Sequence, residues 1–148
     1  MKKLVKILAL SLVLVFTFAL VACGSNSYSK IEKAFINEGY TVESKMDSLA
    51  TAAKSELEKE GIAVEAHTLK IAEDNNGVVN YDYVVILELK KSDDVATACE
   101  KSATLKSIIK DATTYDALVE KGWANGNCIV FGVTATSRSA VKKIVKAA

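Results

Sequence analysis

The strongest strand pattern in this chain is Tyr-Asp-Tyr-Val-Val-Ile-Leu-Glu-Leu-Lys, at residues 81–90. β-Branched and aromatic residues dominate it, and residues 84–87 are apolar without interruption, which is typical of a central strand covered on both faces. Immediately upstream, residues 73–77 read Glu-Asp-Asn-Asn-Gly, and Asn-Gly favours a tight turn. A second strand pattern precedes this turn. The two strands and their turn therefore predict an antiparallel hairpin.

The strand before the turn has an irregular apolar pattern. Its apolar residues are first even-numbered and then odd-numbered: Ile62, Val64 and Ala66, followed by Leu69 and Ile71. Because strand side chains alternate between the two faces, this change of parity predicts a β-bulge near His67 and Thr68, or the end of the strand there.

Helical patterns surround the hairpin. Apolar spacing and glycine stops predict helices at residues 29–38, 48–60, 92–110 and 115–121, and a last helix from Ser137 onward. Asp47 or Ser48 would cap the second helix, Ser92 the third and Ser137 the last. Further strands are predicted at residues 40–45, where the pattern is weak and polar, and at residues 128–134.

These elements predict an α+β fold, with a small antiparallel sheet of three to four strands packed by helices in two layers. Without the first and last helices, the order is strand, helix, strand, strand, helix, strand. That order is the ferredoxin-like, or split βαβ, arrangement. It would require residues 40–45 to form a central strand although they are polar. If they form no strand, the sheet has three strands.

The N-terminus has the composition of an export signal. Lys2, Lys3 and Lys6 precede an uncharged run at residues 7–22, which closes with Leu20-Val21-Ala22-Cys23. Basic residues before a short apolar run are typical of a secretory signal, and the closing residues resemble the lipobox of bacterial lipoprotein precursors. The alternatives are an ordinary cleaved signal and an uncleaved anchor helix. An ordinary signal would have a small residue two positions before Ala22 as well, and the run is shorter than the ~20 residues of a spanning helix.

The lipobox resemblance implies how the protein is held in the cell. Cleavage between Ala22 and Cys23 would make Cys23 the first mature residue, acylated with diacylglycerol and palmitate. The bilayer would then be a partner, and the protein would be anchored by lipid to the extracytoplasmic face of the cell membrane. Residues 1–22 are accordingly expected to be a signal peptide, residues 23–29 the lipidated cysteine and a short tether, and residues 30–148 a single α+β domain.

The charge balance changes when the signal is removed. The whole chain has 19 Lys and Arg residues against 18 Asp and Glu. Without the three N-terminal lysines, 16 basic residues remain against 18 acidic ones, a net charge of −2. This balance excludes a basic nucleic-acid-binding protein. It also argues against the domain itself lying on an anionic membrane, so that anchoring would rest on the lipid.

No residue pattern predicts catalysis, a metal site or a cofactor. His67 is the single histidine, without a second histidine, a Cys-x-x-Cys pair or a carboxylate cluster at ligand spacing. A serine or cysteine nucleophile would need a base, and no Gly-x-Ser-x-Gly turn presents one. The acidic pairs at residues 73–74 and 93–94 are explained by a turn and a helix start. We therefore expect no enzyme, with no catalytic residues and no cofactor.

Two cysteines remain besides Cys23. Cys99 falls on the apolar face of a predicted helix, and Cys128 opens a predicted strand. An exported protein could join them in a disulfide. The alternative, which we favour, is two buried free thiols that pack as small hydrophobic side chains.

The loop Trp123-Ala124-Asn125-Gly126-Asn127 is the one candidate ligand site. Trp123 could stack on a sugar or peptide while Asn125 and Asn127 form hydrogen bonds to it. The alternative is structural: Trp123 covers the core and Asn-Gly turns the chain.

Taken together, these patterns predict a non-enzymatic binding or accessory module of the cell envelope, with an envelope protein as partner. Two alternatives stay open. One is a small-ligand-binding domain or weak hydrolase that uses the Trp123 loop. The other is a structural protein that self-associates through a sheet edge.

Overall fold

The computed structural model describes residues 27–148, which form six helices around a five-stranded antiparallel sheet. In chain order the elements are α1 (Ser27–Asn37), β1 (Thr41–Glu43), α2 (Ser48–Lys59), β2 (Val64–Asn75), β3 (Val78–Leu89), α3 (Asp94–Lys101), α4 (Ala103–Ile108), α5 (Tyr115–Glu120), β4 (Ala124–Asn125), β5 (Cys128–Gly132) and α6 (Ala135–Ala147). The strand order is β1-β2-β3-β5-β4. The α+β class is confirmed, with one strand more than the largest sheet expected.

The domain has three layers rather than the two expected. On one face of the sheet, α2 to α5 enclose a core that includes Leu57, Val85, Leu87, Leu105 and Phe131. On the other face, α1 and α6 enclose a second core that includes Ile31, Phe35, Leu69, Ile86 and Val141. Successive residues of β3 thus point into different cores, which confirms that this strand is central and covered on both faces.

Coverage on both faces also explains the parity change in β2. Val64 and Ala66 pack toward the α2–α5 layer, and Leu69 and Ile71 pack toward the α1–α6 layer. The β2–β3 register is unbroken, from Val64 opposite Leu89 to Asn75 opposite Val78. The predicted bulge or strand end was therefore wrong, because a strand with two buried faces can change parity without changing its geometry.

The β2–β3 turn has the conformation that its sequence favours. Asn76 has φ 57° and Gly77 has φ 85°, so both central residues of the two-residue loop are left-handed. This is the backbone of a type I′ turn, whose twist matches that of the flanking strands. The Asp74 carboxylate accepts a hydrogen bond from the Gly77 N–H at 2.9 Å.

β1 lies at the edge of the sheet, which corrects the ferredoxin-like alternative. Its three residues pair only with β2, where Thr41 lies opposite Lys70 and Glu43 opposite Thr68. A split βαβ fold would place this strand in the centre. Short, polar strands are suited to an edge, where one side of the backbone faces water.

The helix expected at residues 92–110 is divided at Ser102. This residue is extended, with φ −85° and ψ 121°, and its hydroxyl accepts a hydrogen bond from the Leu105 N–H to cap α4. The same hydroxyl donates to the Glu56 carboxylate of α2 at 2.5 Å. Glu56 also accepts from the N–H of Thr104 at 3.0 Å and from its hydroxyl at 2.9 Å. The division of the helix thus creates a polar joint between α2 and α4.

Hydrogen bonding at this joint outweighs burial. Burial alone would raise the pKa of Glu56, but the hydrogen bonds from Ser102 and Thr104 hold it below its ordinary value.

The first residues of the other helices agree in part with the caps predicted from the sequence. Asp47 caps α2 through a bond from the Leu49 N–H, as expected. At α3 the cap is Asp93 rather than Ser92, and its side chain forms no capping bond. At α6 the cap is Thr134, whose hydroxyl accepts from the Ser137 N–H, so Ser137 lies inside the helix rather than at its cap.

The first described helix begins inside the expected tether. α1 starts at Ser27, and Ser27 packs so closely on Gly126 that a side chain at Gly126 would collide with it. Residues 27–29, which were expected to belong to the tether, are therefore part of α1. Ala22 and Cys23, the residues of the expected cleavage and lipidation, lie outside the described residues. None of the helices within residues 27–148 is both long enough and apolar enough to cross a bilayer.

Candidate functional site

The outer half of the β2–β3 hairpin projects beyond the rest of the sheet. β1 pairs with β2 only up to Lys70, and β5 pairs with β3 only from Val84 onward. All ten residues from 72 to 81 are exposed. We call residues 72–81 the hairpin arm.

The arm carries apolar side chains that water surrounds. Val78 is 60% exposed, Val79 56% and Tyr81 51%, and they account for three of the seven large apolar side chains exposed in the described part of the chain. The remaining four are scattered over other elements. Val79 and Tyr81 lie on one face of the arm and Val78 on the other. Apolar side chains exposed at the end of a projecting ribbon are typical of an interaction surface.

The edge of the arm also offers unpaired backbone groups. Along β3, the Leu89 N–H donates to Asn127 O and the Tyr83 O accepts from the Val133 N–H. In an antiparallel ladder, alternate residues direct their polar groups to the same side. The N–H and C=O groups of Val79 and Tyr81 therefore point to the β5 side, where no strand of residues 27–148 lies beside them.

The open edge ends at Asp82. Its carboxylate is buried, accepts a hydrogen bond from the Tyr83 N–H at 2.9 Å and accepts another from the Thr134 hydroxyl at 3.3 Å. The Tyr83 N–H is thus already hydrogen-bonded to the Asp82 carboxylate, and an added strand could not use it. The open stretch is limited to the arm.

Lys70 fixes the base of the arm. Its ammonium group lies 2.6 Å from the Glu43 carboxylate and 4.9 Å from the centre of the Tyr81 ring. The hydrogen bond between the two charged groups raises the pKa of Lys70 and lowers the pKa of Glu43. These contacts orient Tyr81 without covering it.

The Trp123 loop, in contrast, has its functional groups occupied. Trp123 is only 6% exposed, and the Lys142 ammonium lies 4.1 Å from its ring centre. The Asn125 amide donates to Val145 O at 3.2 Å, and the Asn127 amide donates to Leu89 O at 2.5 Å. The segment predicted as a loop includes the short strand β4 and its turn to β5, and its geometry favours the structural alternative, in which Trp123 covers the core.

The two cysteines lie in different cores. Cys99 belongs to the core under α2–α5, and Cys128 to the core under α1 and α6, so the sheet separates them and both are free. A disulfide between them is therefore not formed. Burial raises the pKa of each thiol to about 12, and the Glu88 carboxylate adds to the effect at Cys128. Neither thiol has the environment of a nucleophile.

His67 serves to hold α1 against the sheet. Its ring stacks on Tyr28 with centres 3.8 Å apart, and its Nε2 lies 3.2 Å from the Glu88 carboxylate. The Tyr28 hydroxyl donates to Glu32 at 2.9 Å. Burial, followed by that hydrogen bond, raises the pKa of Tyr28. Within residues 27–148 no group of three potential ligands could hold a metal ion.

The sequence analysis did not predict the arm as an interaction surface, although the sequence contains a pattern that indicates it. Val78 and Val79 follow the Asn-Gly turn directly, so the strand pattern extends to the turn and predicts a hairpin longer than its neighbouring strands. Comparison of the chain with models of protein families, with curated proteins and with solved structures found no match.

Proposed function

We propose that this protein is a lipid-anchored, non-enzymatic accessory module of a bacterial cell envelope, and that its arm binds an extended segment of an envelope protein. The observation that carries the proposal is the arm: three exposed apolar side chains beside backbone groups that no described strand pairs. Adding a strand to such an edge combines main-chain hydrogen bonds with side-chain contacts.

The charges of the arm indicate the kind of segment. Glu73 and Asp74 are exposed on β2, and residues 72–81 contain no basic residue. The residues of the open β3 edge, 78–81, are uncharged. An apolar strand with basic flanking residues complements this surface, whereas a second copy of the arm would bring the same negative charges. Charge thus favours a different protein over self-association.

The anchor is supported by the lipobox resemblance. Four residue steps separate Cys23 from Ser27, and an extended chain spans at most about 3.6 Å per residue, so an acylated Cys23 would hold the domain within about 14 Å of its attachment point. Two acyl chains suffice for stable anchoring.

The proposal is tested by chemical crosslinking and recovery of the native protein from its own membranes. The test variant is Val79→Lys with Tyr81→Lys, because lysines on an edge oppose strand addition. The matched control is Val42→Lys with Val119→Lys, which places the same charges at exposed apolar positions outside the arm. A Cys23→Ser variant and the intact mass of the membrane-bound protein test the anchor.

We expect one envelope protein to be recovered with the wild type and the control, to be crosslinked within residues 78–81, and to be lost with the arm variant. Equal recovery with the arm variant would overturn the role of the arm. Recovery of the protein's own chain alone would favour self-association instead. A membrane-bound protein whose mass lacks an acylated Cys23 would refute the anchor.

A further inference from the structure

The two helical layers carry opposite charge. α1 and α6 contain six basic residues and one acidic residue: Lys30, Lys33, Arg138, Lys142, Lys143 and Lys146 against Glu32. α2 to α5 contain four basic and six acidic residues: Lys54, Lys59, Lys101 and Lys106 against Glu56, Glu58, Asp94, Glu100, Asp116 and Glu120. The net charge of the mature chain conceals this difference, because it sums over both layers.

Four of the basic residues on α1 and α6 face solvent. Arg138 donates to Gly132 O and Lys142 lies over Trp123, so these two serve the fold. The exposed four are Lys30, Lys33, Lys143 and Lys146. Glu32, the single acidic residue of the two helices, accepts the hydrogen bond from Tyr28.

The surface between these lysines is partly apolar, with small side chains. A shallow groove of about 810 Å³ elsewhere on the domain is lined by five charged residues of both signs. The groove of about 670 Å³ between α1 and α6 is lined by Ala34, Ala140, Ile144 and Ala147 together with Asn37, Glu38, Ser139 and Lys143. Ile36, at the end of α1, is 47% exposed on this layer. Small side chains let a flat partner approach closely, and flanking lysines favour an anionic one.

The chain leaves the domain from this same layer. Ser27 is the first residue of α1, and Cys23 lies four residues before it. An anchor at Cys23 would therefore be connected to the α1–α6 layer rather than to the acidic α2–α5 layer, and would bring its lysines within reach of the lipid headgroups.

We infer that the outer surface of α1 and α6 lies on an anionic lipid bilayer, with Lys30, Lys33, Lys143 and Lys146 against the headgroup phosphates. This inference rests on the proposed anchor and adds an orientation to it. It replaces the expectation, drawn from the net charge, that the domain itself makes no contact with an anionic membrane. Clustered lysines beside a lipid anchor provide the second attachment that strengthens membrane binding.

The orientation is measured with the lipidated protein reconstituted in vesicles. A fluorophore is attached to Ser139→Cys on α6 or to Ser55→Cys on α2, both at exposed positions. Cys99 and Cys128 are buried, so labelling is directed to the new thiol. Quenching by nitroxide-labelled headgroups is compared between vesicles of phosphatidylcholine alone and vesicles that also contain phosphatidylglycerol.

We expect the label at residue 139 to be quenched several-fold more than the label at residue 55 in anionic vesicles. The difference should vanish in neutral vesicles and at about 1 M salt, where the Debye length is about 3 Å. Reversing the four lysines to glutamate should also abolish it. The control reverses four exposed lysines outside this layer and should leave it unchanged: Lys59, Lys101, Lys106 and Lys110.

The outcomes separate the orientation from the anchor. Equal quenching at residues 139 and 55 in anionic vesicles would overturn the orientation while the anchor stands. A quenching difference that is the same in neutral and anionic vesicles would do so as well. Failure of the protein to remain on neutral vesicles would overturn the anchor. In that event, binding to anionic vesicles that the lysine reversal abolishes would still support the α1–α6 surface, and absence of such binding would refute it.

Discussion

The two halves of the β2–β3 hairpin share the same two strands and one unbroken register, yet they have opposite environments. In the inner half, Val84, Val85, Ile86 and Leu87 are fully buried between two helical layers. In the arm, Val78, Val79 and Tyr81 are more than half exposed. The difference shows that the apolar pattern of a strand specifies pairing, whereas burial depends on how far the neighbouring strands and helices extend.

The sharpest test of this comparison makes one substitution at two positions on the same face of β3. Val85→Ala removes two buried methyl groups and should lower the free energy of unfolding by about 2–3 kcal/mol, since lost burial and a residual cavity both contribute. Val79→Ala should change it by less than about 0.5 kcal/mol. Denaturant unfolding of both variants measures the difference, and equal losses would mean that the arm is covered.

A second test measures how much the polar joint between α2 and α4 contributes to the free energy of unfolding. Glu56→Ala leaves Ser102 and Thr104 without their acceptor and should cost about 2 kcal/mol, because hydrogen bonds to a charged group are among the stronger ones. Thermal unfolding would detect the loss. Lys54→Ala, which removes an exposed ion pair with Glu58 on the same helix, is the control and should cost little.

The same joint predicts a dependence on pH. Because the pKa of Glu56 is lowered in the folded state, its contribution is present above its unfolded pKa of about 4.3 and is lost as the pH falls through the folded value. The stability difference between the wild type and Glu56→Gln should therefore shrink below about pH 4. A difference that stays constant down to pH 3 would contradict this assignment.

At the tip of the arm, Gly77→Ala should have a smaller effect. An L side chain at φ 85° is strained by about 1–2 kcal/mol, and no described atom lies close enough to the added methyl group to clash with it. Because no third strand among residues 27–148 borders the arm, we expect most of this strain to appear as local opening of the turn. Amide exchange at Asn75 and Val78, which pair with each other across the turn, should accelerate more than global unfolding does. Equal acceleration across β3 would show that the arm and the inner half unfold together.

The last test needs no substitution and compares amide exchange in the two halves of the wild-type hairpin. The amides of Val79 and Tyr81 point to the open edge and should exchange with almost no protection, whereas the Leu87 amide should exchange only through global unfolding. Native-state hydrogen exchange resolved by residue measures both. Strong protection at Val79 and Tyr81 would mean that a second chain covers the edge in solution.

Local signals in the sequence were sufficient for the class of fold and for its central strand. The apolar run at residues 84–87 and the Asn-Gly turn predicted the hairpin, because both depend on residues close in the chain. The break at Ser102 was missed because it depends on Glu56, which is 46 residues away. The edge position of β1 likewise depends on which strands pair.

For the candidate surfaces the sequence was less informative. The residue types of Trp123 and its neighbouring amides suggested a ligand site. Only the structure shows that their polar and aromatic groups already contact other residues of the domain. The charge difference between the helical layers could not be read from a sum over the chain. It became visible once α1 and α6, which lie far apart in sequence, were placed side by side.

The unbroken ladder between β2 and β3 also constrains the order of folding. Its twelve residue pairs close from a two-residue loop, whereas β5 must cross some 40 residues of chain to reach β3. Local contacts form sooner than distant ones. The hairpin is therefore expected to form first, and β5 is expected to pair with β3 later. During that interval the whole β3 edge, valines and isoleucine included, resembles the arm. The newly synthesised chain is then most prone to aggregate, and a chaperone that shields strand edges would protect it at this stage.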